Sequence, residues 1–211
     1  MSRFVVNDWL RGFVTFAVSP AWASKLSLAN QQQFIQMGIV ARATVSMKLD
    51  LDSLRQMHPL LPAATALEYA HRAAIGLQRH HHKPGVALAV ELEGDHSQAE
   101  LQWTACPLSD AEQLDHNRVT EDAAEAISLA LVHEAKGWIL RRRIQRGGVA
   151  DFLLVDTNSA KVALEVSGMD QSDNGGRLRA KLEQASRATA AATKAACVVA
   201  LAAPRATLAT A

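Results

Sequence analysis

Cysteine is nearly missing: Cys106 and Cys197 are the two in 211 residues. So few exclude a disulfide-dense scaffold and make a reducing, cytoplasmic compartment the expectation. Neither belongs to a CxxC pair or has a neighbouring His, so both read as buried thiols. Long apolar runs are also missing. No stretch of about 18 apolar residues is found, so no helix is expected to cross a membrane. Asn7, Asp8 and Arg11 interrupt the N-terminal stretch where a signal peptide needs its apolar centre. Aromatics are scarce at 5%, and the four tryptophans are dispersed; they read as core or interface residues. Charge of one sign is lacking too. With 22 Lys+Arg against 21 Asp+Glu the net charge is +1, which argues against a strongly electrostatic, non-specific nucleic-acid binder but leaves room for a local basic patch. What the chain does have is 49% hydrophobic residues, too many for disorder at balanced charge. The length fits one domain, or a core with an appended unit.

The first hundred residues have mixed signals. Residues 4–18 look strand-rich, and residues 31–51 fit either a helix start or a strand pair. ALEYAHRAAIGLQRH reads as a helix, with Leu67, Ala70, Ala74 and Leu77 at helical spacing and Lys83-Pro84-Gly85 as its stop. VALAVELEG and AELQWTA read as a hairpin around a four- to five-residue loop at Gly94–Ser97. Pro107 to Asn117 is polar and turn-like and marks the expected junction. From there the order is clearer. Thr120 is the expected N-cap of a helix with Ala124, Ile127, Leu131 and Ala135 on its apolar stripe, ended by Gly137. Strands follow at Trp138–Ile144, Val149–Val155 and Lys161–Ser167, then a polar loop at Gly168–Gly176. A helix over Arg177–Ala192, with Leu178, Leu182 and Ala185 facing inward, precedes a short strand at Cys197–Leu201.

The register of the middle hairpin matters most. A three-residue loop, Thr157-Asn158-Ser159, pairs Asp156 with Ala160. Phe152 then faces Leu164, and Leu154 faces Val162. The same register sets Asp151 opposite Glu165, with Ala163 and Ser167 beside it, on a face that is otherwise largely apolar. Directly opposed side chains have Cβ atoms about 4.5–5.5 Å apart, so two carboxylates there repel and need compensation. A divalent cation supplies it in one reading, since Mg²⁺ is commonly held by one or two carboxylates. In the other reading the two acids are ordinary strand-end residues paired with Arg141, Arg143 or Arg179.

Gly148-Val149-Ala150-Asp151-Phe152-Leu153-Leu154 and Val162-Ala163-Leu164-Glu165-Val166-Ser167-Gly168 together resemble the core of the PD-(D/E)XK nuclease-like superfamily. The resemblance covers roughly residues 119–202. It implies an α/β (α+β) restriction-endonuclease-like α-β-β-β-α-β core with a mixed sheet, preceded by an α+β region over residues 1–118. It implies a metal-dependent nuclease acting on phosphodiesters, in a bacterial defence or mobile-element setting. Asp151 and Glu165 would ligate Mg²⁺ or Mn²⁺ with the main-chain carbonyl of Val166, and Glu125 would be the acid that many members carry on the preceding helix. Ser167 stands where the family has Lys. It can hydrogen-bond water but carries no positive charge, so Lys181 or Arg177 on the following helix would have to replace that cation. Arg141, Arg143, Arg146, Arg177 and Arg179 are the candidate phosphate-backbone contacts.

The alternative function is a catalytically degenerate module that binds a protein or nucleic acid within an assembly. The N-terminal region would supply the contact to a protein partner or a second copy, with VALAVELEG and AELQWTA as edge strands. Nothing points to a membrane partner. His80-His81-His82 fan out around a helix end and cannot share one tetrahedral face, so they read as an exposed helix end.

Overall fold

The chain divides into two compact units, Met1–Val45 and Ser46–Ala211. A computed structural model describes residues 47–107, 109, 114–144, 150–171 and 176–211, all within the second unit. The expectations for residues 4–18 and 31–46, the Gly147-Gly148 turn, Arg146 and Asp173 lie outside the described residues.

The architecture is mixed α/β. A short strand β1 (Met47–Asp50) leads through a 3-10 turn into α1 (Leu54–Met57) and then α2 (Ala63–Arg79). The hairpin β2 (Val86–Leu92) and β3 (Asp95–Gln102) follows, then the long helix α3 (His116–Lys136). Strands β4 (Ile139–Arg143), β5 (Phe152–Val155) and β6 (Lys161–Met169) come next, then α4 (Gly176–Ser186), β7 (Thr193–Ala200) and β8 (Arg205–Thr210). All eight strands join one sheet in the order β1-β3-β2-β8-β7-β6-β5-β4. Helix α3 packs on the sheet across β6, β7 and β1, with α2 stacked on α3 and α4 against β6 and β7.

Helix α3 is buried almost all round from Val119 to Val132, as expected of a helix inserted between a sheet and another helix. Its true N-cap is Asp115, whose side chain accepts from the Arg118 amide at 2.8 Å. Thr120 instead lies inside the helix and turns its hydroxyl to the His116 carbonyl. Gly137 closes the helix at φ 67°, as expected of a left-handed C-terminal position. Where β6 passes under α3, Gly168 is the contact: a Cβ added there would lie 2.3 Å from the Thr120 carbonyl oxygen. His58 is completely buried and ties α1 to the rest. Its Nε2 donates to Leu129 O at 3.0 Å and its Nδ1 accepts from the Leu140 amide at 3.1 Å.

The hairpin register agrees with the expectation. Phe152 pairs with Leu164 and Leu154 with Val162, and the Asp156 amide donates to Ala160 O. The Asp156 side chain stabilises the loop by accepting from the Asn158 and Ala160 amides.

Several expectations need correction. VALAVELEG and AELQWTA are not edge strands, because β2 lies between β3 and β8, and β3 between β1 and β2. Their loop is two residues, Glu93-Gly94, both at positive φ. That is a tight hairpin turn without the usual Asn or Asp in first place. Of the expected α2 stripe, Ala70, Ala74 and Leu77 are buried but Leu67 is exposed, and Tyr69, Ala73 and Ile75 complete the packed face. Helix α4 stops at Ser186, and of its three expected inward residues only Ala185 is fully buried. Strand β5 begins at Phe152, β7 begins at Thr193, and β8 was not foreseen. The expected division at 118/119 falls in the first turn of α3, and one sheet continues across it.

Candidate active site

Asp151 sits at a bend one residue before β5, where the ladder with β6 has ended. Its Oδ2 accepts from the Val166 amide at 2.8 Å, which turns the carboxylate toward β6. Amide and carbonyl of one strand residue face the same edge, so the Val166 carbonyl also points past the start of β5.

Glu165, in the middle of β6, is 1% exposed. Its two oxygens are held by α4: Lys181 Nζ donates to Oε2 and Gln184 Nε2 to Oε1, both at 2.8 Å. Residues three apart on a helix share a face, which is why both reach the same carboxylate. Burial pushes the Glu165 carboxyl up to about 7. Lys181 acts against that shift, whereas the Asp151 charge and a hydrogen bond with Asp151 add to it. The two acids therefore converge.

Ser167 continues the same strand, and its Oγ accepts from Arg177 Nη1 at 3.1 Å; the same nitrogen donates to Gly168 O at 3.2 Å. Arg179 is exposed on α4.

On the α3 side, Glu125 is buried but is not directed at the Asp151–Glu165 pair. Arg143 Nη2 donates to its Oε1 at 2.8 Å, and the hydroxyl of Tyr69, the chain's single tyrosine, donates to its Oε2. Burial raises the Glu125 carboxyl, Tyr69 and Arg143 oppose that, and the Asp122 and Asp151 charges add to it. Arg143 also lies over the Tyr69 ring, 5.7 Å from its centroid. Asp122, one turn earlier, takes Arg118 at 3.1 Å and Arg72.

A β-bulge between Leu140 and Arg142 separates the arginines of β4. Arg143 turns to Glu125. Arg141 lines a cleft with Leu60, Ile139 and Val155, at the opposite end of β5 from Asp151.

The structure thus brings together Asp151, Glu165 and Lys181, places Ser167 next along β6 with Arg177 of α4 against it, and joins Glu125 of α3 to Arg143 of β4. Two participants were missed. Gln184 was visible as the partner of Lys181 at helical spacing. Tyr69 was not, because only the packing of α2 on α3 brings it near Glu125.

The oxygen donors present, two carboxylates and a strand carbonyl, suit a hard cation that keeps several of its waters. Repulsion between the carboxylates is what such a cation would relieve. Among the described residues, no group of three or more His, Cys, Asp or Glu is arranged to hold a metal unaided. No helix among the described residues is long and apolar enough to cross a membrane. No protein-family model, no curated protein and no solved structure matches this chain.

Proposed function

We propose that this chain is a metal-dependent nuclease-like phosphodiesterase of the PD-(D/E)XK type, built on a restriction-endonuclease-like α-β-β-β-α-β core from α3 to β7. The observation that carries this reading is the contact of Lys181 with Glu165 at 2.8 Å. It supplies from α4 the cation that Ser167 does not supply from β6.

Asp151, Glu165 and the Val166 carbonyl would hold Mg²⁺ or Mn²⁺, which when bound lowers the pKa of a water and offsets charge on the phosphate. The chain's own residues would do the rest. Lys181 places a positive charge beside Glu165, where a phosphate oxygen gains charge. Gln184 fixes the second Glu165 oxygen and so its rotamer. Arg177, which meets Ser167, and Arg179 follow along α4 as backbone contacts. Arg143 approaches from β4, with Glu125 and Tyr69 setting its direction. Glu125 is in this reading a positioning residue rather than a ligand.

The test is cleavage of single-stranded and duplex DNA and RNA with Mg²⁺ or Mn²⁺. Asp151→Ala and Glu165→Ala should abolish metal-dependent cutting. Lys181→Ala should slow it about 10²–10³-fold, the effect of removing one preorganised charge-stabilising group, with Lys181→Arg retaining part. A wild-type chain that cuts no substrate, or variants that cut equally well, would overturn the reading in favour of a degenerate module that binds without cleaving.

A further inference from the structure

We propose that the cleft where β4 begins and β5 ends receives a second copy of this chain, in a two-fold dimer. Three large hydrophobic side chains are exposed among the described residues, and two of them, Leu60 at 56% and Ile139 at 40%, line this one cleft. Leu60 comes from the connection between α1 and α2, and Ile139 opens β4. Val155, the ladder partner of Ile139, adds to the apolar lining. Contact here runs through side chains and not through the strand ladder, because the Leu140 amide already donates to His58 Nδ1.

Charge selects the occupant. Strands β4 and β5 are antiparallel, with Ile139 opposite Val155. Along the strand axis Arg141 therefore lies on one side of that apolar pair and Asp156 on the other, and both line the cleft. Arg141 is exposed and makes no ion pair among the described residues. Asp156 gives its Oδ1 to the loop amides of Asn158 and Ala160, and no described residue takes its Oδ2. The apolar pair thus stands between a positive and a negative end. A two-fold axis through the pair exchanges the ends. It sets each Arg141 against the other copy's Asp156, and packs Leu60 and Ile139 of the two copies together. Such self-complementarity is what an isologous contact requires. A segment charged with one sign would satisfy one end and oppose the other. A nucleic-acid backbone would meet Asp156 and gain nothing from Leu60 and Ile139. Interfaces that bury less than about 1,200 Å² in total are weak and transient. A patch centred on two side chains belongs to that class, so association no tighter than micromolar is expected. The surface lies at the opposite end of β5 from Asp151 and does not depend on the catalytic reading.

The experiment is sedimentation velocity of the full chain over a concentration series, with the concentration dependence of backbone amide NMR shifts as the map. A single monomer–dimer equilibrium is expected, because a two-fold contact closes, with shifts at Leu60, Ile139, Arg141 and the loop after Val155. Leu60→Asp and Ile139→Asp should each weaken the dimer about tenfold or more, the effect of losing a central anchor. Arg141→Asp should weaken it about tenfold, since symmetry loses the pair twice. Asp156→Asn keeps the Oδ1 acceptor of the loop, removes the charge and should weaken the dimer less. Arg142→Asp makes the same charge change outside the cleft lining and should leave the equilibrium unchanged. An equimolar mixture of Arg141→Asp and Asp156→Asn should form a mixed dimer tighter than either variant alone, because one Arg141–Asp156 pair returns. That mixture keeps the test decisive where a single variant melts lower than the wild type. A chain that stays monomeric up to about 1 mM would overturn the proposal. So would assembly that grows beyond dimers, a dimer unaffected by Ile139→Asp, equal losses in Arg141→Asp and Arg142→Asp, or a mixture no tighter than its components.

Discussion

Replacing Glu165 by Gln should make the protein more stable, and more so the higher the pH. The wild-type carboxyl is 1% exposed and raised from its ordinary 4.5 to about 7, chiefly by burial. A carboxyl whose folded pKa lies above its unfolded value binds its proton more tightly in the fold. Stability contributed by that proton is complete below about pH 4.5 and disappears as pH rises through about 7. At ~1.36 kcal/mol per pKa unit the window spans about 3 kcal/mol. Glutamine keeps the shape, accepts from Lys181 through its oxygen and cannot ionise. Lys181 is 24% exposed on its side chain and can remain solvated. Near pH 5 the variant and the wild type should therefore be close, and near pH 8 the variant should be ahead by about 3 kcal/mol. Urea unfolding at the two pH values reads this as a shift in midpoint at constant slope. A difference that does not change with pH would mean that the Glu165 carboxyl is not raised. A wild type that gains on the variant as pH rises would mean that Lys181 outweighs burial and Asp151 together.

Other outcomes follow from the same geometry. Added Mg²⁺ near pH 8 should stabilise the wild type but not Glu165→Gln, by about 2.7 kcal/mol at a hundred times the dissociation constant, read as a rise in melting temperature. His58 is pushed down to about 4 by burial, so it is neutral in the fold, and stability should fall as pH drops from about 6.5 toward 4; His58→Gln should flatten that acid limb in a urea series. Gly168→Ala would set a methyl against the Thr120 carbonyl and force β6 from α3, costing about 1–3 kcal/mol by overpacking in thermal melts. Asp115→Ala removes the cap of α3 and should cost about 1 kcal/mol in the same assay.

The part of the fold that was legible from sequence runs from α3 to β7. There each element is bounded by a local signal: Gly137 at a helix end, Asp156 to Ser159 at a tight loop, alternation between Phe152 and Leu164. The three-residue loop fixed the register, and the register brought Asp151 toward Glu165. What stayed hidden depends on contacts between distant segments. Helix α3 is buried almost all round between Val119 and Val132, so an apolar stripe understated it, and the cap at Asp115 lay in a stretch read as a junction. Strand β8, RATLAT, alternates residues too small to give a hydrophobic pattern, yet the sheet needs it between β7 and β2. The bulge at Arg141 cannot be read from three consecutive arginines, and it decides that Arg143 turns to Glu125 while Arg141 lines the cleft.

The place of β8 has a consequence for how the molecule comes into being. Ala89 of β2 pairs with Arg205, and Cys197 of β7 pairs with Leu208. The hairpin made early in synthesis thus waits for a strand made far later before its second edge is closed. Until then that edge and the flank of β7 both stay open to wrong partners, a situation in which non-local pairing slows folding and favours aggregation. A chain halted shortly after β7 should therefore be more prone to aggregate than one carried through β8.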